Sequence, residues 1–432
     1  MIETKSSAAP HLRPLWQDIS PPGPACVALD EPSGTGVAII GGGFLGLSVA
    51  LRLAERGVRC AVLEAEEVGA GASGRNTGFV VPSIRVSATP DVLASRHGTE
   101  CAGAFFDLVA RSGDITFDLI NRLDLNCNAE QSGWMQPAHS PKAMKAVKSA
   151  AERAREKGRP VRFLEAAEAG AMAGFPLPNG ALLDNSGGQL NPLAYVRALA
   201  GAAAAAGATV YENTTVTGFA RAGDGWRIDT ARSSLRAERI LLTTNALTGA
   251  LHRGFAASLA PVRVFQIATA PLPENAAVLS GGQSLSDTRR HTFALRRAPG
   301  GGLVTGGLVR AGRAEAARAV KKFSRRLATI ARISDAPNTH VWSGIIALTQ
   351  DGLPRLSTLE PGLDAAVSCN GRGVALTTAL GAEIAAYLSG EDALALPLAP
   401  LTQHPARRLT THGASLSLPF LEARDWWESR AA

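Results

Sequence analysis

The chain has 432 residues, 46% apolar and 19% charged, with 45 glycines and few aromatics. This length points to two domains rather than one core, and the composition is that of an ordinary soluble globular protein, excluding disorder except at the ends. Lys and Arg outnumber Asp and Glu 44 to 37 for a net charge of +7, but the excess falls in "PKAMKAVKSAAERAREKGRP" and "RAGRAEAARAVKKFSRRLATIAR". Apolar residues recur there at helical spacing, so these are solvated faces of amphipathic helices and not a nucleic-acid surface.

Residues 1–34 are Pro-rich and polar and read as an arm, docked through Leu15 and Trp16. No apolar h-region follows the first Met, and no uninterrupted apolar run is long enough for a membrane span, so a cytoplasmic protein is expected. Cys26, Cys60, Cys101, Cys127 and Cys369 are scattered, with no CxxC and no Cys/His cluster. Free thiols in a reducing compartment, and no metal site, follow from that spacing.

From Gly36 the pattern turns to strand 37–40, a glycine turn, helix 45–55 and strand 58–63, a βαβ unit with a right-handed crossover. Gly41, Gly43 and Gly46 fit G-x-G-x-x-G, with Phe44 and Leu45 opening the helix. The first glycine permits the turn, the second admits a pyrophosphate, and the third lets helix and strand pack closely. Glu64, followed by Ala65, stands at the end of the second strand, where a carboxylate accepts hydrogen bonds from a ribose diol and repels a 2′-phosphate. A dinucleotide is therefore expected.

Beyond it lie a helix-rich stretch 103–173, a helix 192–206 whose alanine run carries no functional weight, and strands from 209 and near 216. "WRIDT" and "LRAERILLTTNAL" supply further strands, the latter ending at Thr243 and Thr244, before a strand-rich stretch 261–308. "NGRGVALTTALGAEIAAYL" reads as a glycine turn opening a helix, whose N-terminal amides and dipole favour negative charge. The tail "LPFLEARDWWESRAA", with Trp426 and Trp427, is expected to pack back on the body.

The loop "GAGASGRNTGFV" decides between nicotinamide and flavin. Together with GGGFLG and Glu64 it resembles the glycine/D-amino-acid oxidase (DAO) family of FAD enzymes, closest to its γ-glutamylputrescine oxidoreductase-like branch. "LWQD", "GGQLNPLAYVRALA", "TTNAL", "QIATAPL", "SDTR", "GGLVTGG", "WSGIIALTQDGLPRL" and the final glycine turn follow that branch in order. The resemblance implies an α/β fold: a discontinuous Rossmann-like FAD-binding domain (GR2-type) with an inserted α+β substrate domain on a mixed or antiparallel sheet. The expected division is an arm 1–34, FAD-binding segments 35–105, 174–258 and 336–398, substrate segments 106–173 and 259–335, and a tail 399–432.

The resemblance also implies site roles. Ala72, Ser73, Arg75 and Asn76 would pass beside the pyrophosphate and flavin, with Arg75 neutralising phosphate. Val216 would meet the adenine side, Asn245 and Ala246 would cross the cofactor, and Gly371, Gly373, Val374, Ala375 and Leu376 would face the flavin's developing negative charge. Gly344 stands near where sarcosine-oxidase-like members carry a flavin-linking cysteine, so FAD is expected to be non-covalent. Val304 and Ala375 replace two lysines of those enzymes, which weakens a sarcosine-oxidase reading and leaves O2 open as acceptor. The implied reaction is oxidation of the C–N bond of an amine or amino acid by hydride transfer to flavin N5, the imine then hydrolysing and the electrons passing to O2 or another acceptor. Arg296, as a carboxylate ligand, Trp342 and Gln266 are substrate-pocket candidates, with His291 weaker; no catalytic residue is identified. The alternatives are a tRNA-modifying flavoenzyme of the same family and a non-catalytic flavoprotein subunit.

Overall fold

The structure is a computed structural model and describes residues 12–84, 90–368, 370–391, 395 and 398–430. Residues 1–11 of the expected arm, and Cys369, lie outside the described residues. The arm's helix α1 (Trp16–Ile19) is docked as expected, with Trp16 fully buried and Leu15 packed against the same core.

The βαβ unit forms as read. Strand β1 (Ser33–Ile40) runs parallel to β2 (Cys60–Leu63), and helix α2 (Phe44–Glu55) crosses between them. The first sheet continues from β1 through Ser234–Leu242, parallel, and Leu363–Val367, parallel, to Arg355–Glu360 at one edge; on the other side β2 pairs with Thr209–Tyr211. Val37, Ala38, Ile39 and Ile40 are all buried, since their side chains alternate into cores on both faces of the sheet. Helix Pro192–Ala205 starts where Asn191 caps it, its side-chain oxygen accepting the Ala194 N–H at 3.2 Å with Pro192 at the first turn.

The second sheet has eight strands in the order Asn338–Leu348, Ala260–Thr269, Leu303–Gly307, Ala294–Arg297, Ser284–Ser286, Trp134–Pro137, Ala181–Asp184 and Val161–Leu164. It is antiparallel except where Ser284–Ser286 runs parallel to Trp134–Pro137, a mixed sheet as expected. Two strands fall on the other side of the expected division: Asn338–Leu348 and Ala181–Asp184 belong to this sheet although 336–398 and 174–258 were assigned to the nucleotide domain. The reason is pairing. Asn338–Leu348 lies antiparallel along the whole of Ala260–Thr269, and a strand's partner is not legible in its own residues.

Of the cysteines, Cys26, Cys60, Cys101 and Cys127 are free. Burial pushes the Cys60 thiol up to about 11 and that of Cys127 up to about 12, so both are inert packing groups. No described helix is long and apolar enough to cross a membrane.

Candidate cofactor and substrate cleft

A cleft of about 810 Å³ runs from the end of β1 to the face of the second sheet, within the roughly 300–1,000 Å³ usual for cofactor and ligand sites. The three motif glycines build its first wall. Gly41 has φ +113°, a conformation side chains disfavour, and a Cβ there would lie 3.1 Å from Thr243. A Cβ on Gly43 would meet Ser73 Oγ at 2.9 Å, and one on Gly46 would sit 2.1 Å from the Gly41 carbonyl oxygen. Gly46 therefore serves helix-to-strand packing and does not line the cleft, whereas Gly41, Gly43, Phe44 and Leu45 do.

Glu64 lines the cleft beside this turn, with Ala65 next to it. Its Oε2 accepts the Gly42 N–H at 2.7 Å and Oε1 the Glu66 N–H at 3.1 Å. Burial raises its pKa, and the hydrogen bonds from Glu66 and Gly42 pull the other way.

The second loop folds over the helix start. A short 3-10 turn, Ala72–Gly74, places Ser73 so that its hydroxyl accepts the Phe44 N–H at 3.0 Å. Asn76 ties the turn to itself: its amide nitrogen donates to the carbonyls of Ser73 at 2.7 Å and Ala72 at 3.2 Å, and its oxygen accepts the Gly78 N–H at 2.8 Å. Arg75 spends its guanidinium on the carbonyls of Ala70 at 2.8 Å and Ser343 at 3.2 Å. It lines the cleft, but the loop is what it braces.

Three substrate-pocket candidates prove to be parts of this loop's support. Gln266 and Trp342 face one another across the Ala260–Thr269 and Asn338–Leu348 strands, and both donate to the Arg75 carbonyl oxygen, at 2.8 and 2.9 Å. Gln266 also lines the cleft, and its Oε1 is buried without a hydrogen-bond partner; Trp342 is buried behind the wall. Arg296 departs furthest from expectation. It is 1% exposed, lies outside the cleft lining, and donates to the carbonyls of Leu190 at 2.6 Å, Arg297 at 2.9 Å and Thr77 at 3.0 Å. Burial lowers its pKa, yet a guanidinium stays protonated in proteins. The carboxylate-ligand reading of Arg296 is thus corrected: its fork is already filled by backbone oxygens.

Val216, Asn245, Ala246, Gly344, Gly371, Gly373 and Val374 line the cleft, together with Ala72, Ser73 and Asn76. Asn245 adopts φ +50°, and its Oδ1 is a second buried oxygen without a hydrogen-bond partner. The side chains of Ala375 and Leu376 pack into the core, while their backbone N–H groups belong to the first turn of the helix Val374–Leu388, the part expected to face negative charge. Val304 is buried as well; the cleft wall on its strand is made by Gly306 and Gly307. Sequence reasoning missed Arg372 and Asn370, both in the glycine turn. Arg372 lines the cleft, donates to the Ser83 hydroxyl and lies 4.9 Å from the Trp134 ring. Asn370 Oδ1 caps the Thr349 N–H at 2.8 Å. The positive φ of Asn370, 39°, followed by Gly371 at 86°, is the signal the "NGRG" spelling carries.

These residues fit FAD. Two helix starts, at Gly43 and Gly373, open on one cleft, and glycines let a phosphate chain approach backbone. Glu64 lines the cleft at the end of β2, where a ribose diol could be held, and two amide oxygens of the wall, on Gln266 and Asn245, are buried without a partner. Among the described residues no cysteine lines the cleft.

Comparison with known proteins agrees. Gamma-glutamylputrescine oxidoreductase of Escherichia coli (strain K12) is 28% identical over 406 residues, 91% of either chain. The probable oxidoreductase OrdL of Rhizobium meliloti (strain 1021) is 30% identical over 353 residues, covering 80% of this chain and 81% of that one. The crystal structure of glycine oxidase from Geobacillus kaustophilus superposes with a TM-score of 0.71 at 25% identity, covering 86% of this chain and 99% of that one. The family DAO, described as FAD dependent oxidoreductase, matches residues 36–387. With the glycine turn, Glu64 and the second helix start gathered on one cleft, the chain belongs to the DAO family of FAD-dependent oxidoreductases, and FAD is its cofactor.

Proposed function

We propose that this oxidoreductase acts on the C–N bond of an amine or amino acid that also carries a carboxylate, yielding an imine that water hydrolyses. The supporting observation is the charge of the cleft. Among the described residues its one lining carboxylate is Glu64, beside the glycine turn, whereas Arg75 and Arg372 line it elsewhere; Arg290 lines it too, with its guanidinium paired to Glu428 and Asp425. Anionic groups are favoured in such a field. The names of its relatives, gamma-glutamylputrescine oxidoreductase and glycine oxidase, describe amines of that kind.

When bound, FAD supplies the two-electron oxidation. With FAD bound, the Ala72–Asn76 loop would hold the ring, the second sheet would face the amine, and Val262, Val264 and Ile346, which line the cleft, would keep water away. The electrons pass to O2 or another acceptor, and FAD is held non-covalently, Gly344 standing in place of a linking cysteine. A cytoplasmic site of action accords with the free thiols.

The test is an anaerobic screen of the yellow protein against γ-glutamylated amines, glycine, N-methyl amino acids, D-amino acids and unmodified polyamines. Carboxylate-bearing amines should bleach the flavin and polyamines should not; bleaching by polyamines alone would overturn the carboxylate assignment. The speed of colour return in air identifies the acceptor.

A further inference from the structure

The tail helix Leu418–Glu428 docks through charges and leaves its aromatics outside. Trp426 and Trp427 are 56% and 66% exposed, while Asp425 is 4% exposed. Asp425 Oδ1 accepts the backbone N–H of Arg290 at 3.1 Å and its guanidinium at 3.3 Å, and Oδ2 accepts the backbone N–H of His291 at 3.1 Å. Glu428 takes the same guanidinium with both oxygens, at 2.8 and 3.0 Å. Glu422 pairs with Lys322 at 2.7 Å.

The segment held in this way is a wall of the cleft, to which Arg290, His291 and Thr292 all contribute. It has two other anchors. Asp287 Oδ1 accepts the N–H groups of Phe293 at 2.8 Å and Arg289 at 3.1 Å. Arg326 donates to the carbonyls of His291 at 2.7 Å and Thr292 at 3.0 Å, and meets His291 Nδ1 at 2.9 Å. Glu422 Oε1 also lies 3.5 Å from the same His291 nitrogen, so tail and body meet at this imidazole. Neither Asp287 nor Arg326 reaches the amides of Arg290 and His291; that is the part played by Asp425.

We infer that Asp425 is a positioning residue for substrate, fixing the 289–293 segment so that Arg290 and His291 present one surface to the cleft. The inference rests on the reading of the cleft's second-sheet end as the substrate site. A buried carboxylate accepting two consecutive backbone N–H groups makes charge-assisted bonds, and its loss leaves two amides to find water. The segment would then open locally while the rest of the fold stays shut.

The experiment compares the full FAD-loaded chain with Asp425→Ala and Asp425→Asn, the latter keeping one acceptor oxygen in case the alanine variant does not fold. Amide hydrogen exchange at residues 290 and 291 should rise by about tenfold or more, the change that loss of one such bond brings. Exchange in Phe44–Glu55 and Val374–Leu388, and the flavin spectrum, should stay as they are. With the amine that bleaches the flavin in the screen, KM should rise about tenfold and kcat change less than about twofold, since ground-state positioning is what is lost. Glu428→Gln should leave exchange of the two amides unchanged. Unaltered exchange and KM in the Asp425 variants, or a rise spread evenly over both sheets, would overturn the inference. A chain that took up no FAD would refute the functional reading, and the exchange comparison would still decide the clamp.

Discussion

The indole N–H of Trp16 donates to the carbonyl oxygen of Asn76 at 2.8 Å, joining the N-terminal arm to the loop that walls the cofactor cleft. The Arg296 guanidinium lies 5.2 Å from the same indole ring, so arm, loop and second sheet meet at one buried point. Trp16→Phe keeps an aromatic ring, smaller than the indole, and removes the donor. A buried carbonyl left unpaired costs about 1–3 kcal/mol, and part of that cost should appear as an FAD dissociation constant raised up to about tenfold. Fluorescence titration of the apoprotein measures it; unchanged affinity would show that the arm does not support the loop.

Arg296→Met should destabilise the protein without touching specificity. It leaves the carbonyls of Leu190, Thr77 and Arg297 short of their donor, at about 1–3 kcal/mol for each one that stays dry. A lower thermal midpoint with KM for a carboxylate-bearing amine unchanged is expected. The reverse pattern, a normal midpoint with a raised KM, would restore Arg296 as a substrate ligand.

Glu64→Gln keeps an acceptor oxygen and removes the charge. Hydrogen bonds to a charged group are worth about 1.5–3 kcal/mol, so FAD affinity should fall roughly 10- to 100-fold, seen by equilibrium dialysis. Loss of less than about threefold would mean that the ribose does not depend on this carboxylate.

Much of this site is legible in the sequence because its glycines have no alternative. Gly41, Gly43 and Gly46 stand where a Cβ would collide with Thr243, Ser73 or the Gly41 carbonyl, so their spacing encodes the turn directly. Helix α2 and the helix Pro192–Ala205 were equally readable from their periodicity. Arg296 was not readable, because nothing in "FALRRAPG" tells a guanidinium aimed at substrate from one aimed at backbone oxygens far along the chain. The same holds for Asp425, whose partners lie 134 and 135 positions away. Long-range pairing, which also misplaced the strands Asn338–Leu348 and Ala181–Asp184, is what local patterns leave out.

Gly46→Ala offers a steric test with a built-in control. Its methyl group would sit 2.1 Å from the Gly41 carbonyl oxygen and 2.8 Å from Thr243 Oγ1, so the turn must open and FAD uptake should be lost. Gly201, inside the helix Pro192–Ala205, has nothing within 4 Å of the same position. Gly201→Ala should leave FAD binding intact and stabilise by about 0.5–1 kcal/mol.

The tail clamp should be acid-sensitive. Hydrogen bonding to Arg290 holds the Glu428 carboxyl well below its ordinary value, at about 2. A lowered carboxylate contributes its stabilisation above its unfolded value and loses it as pH falls through the folded one. The Arg290–Glu428 contact should therefore be complete at neutral pH and weaken from about 4.5 toward 2. Fluorescence of a chain whose reporters are Trp426 and Trp427 follows it; a transition centred above pH 5 would contradict the assignment.

The account stands on one arrangement, a flavin lying between the Ala72–Asn76 loop and the start of the helix Val374–Leu388, with substrate on the second sheet. The most direct measurement is the visible spectrum of the purified chain before and after anaerobic addition of a carboxylate-bearing amine. The account predicts a yellow protein with one FAD per chain, released on denaturation, whose absorbance is lost on mixing while the amine appears as its aldehyde or keto acid. A colourless protein that takes up no FAD, or a yellow one that no such amine bleaches, would contradict it.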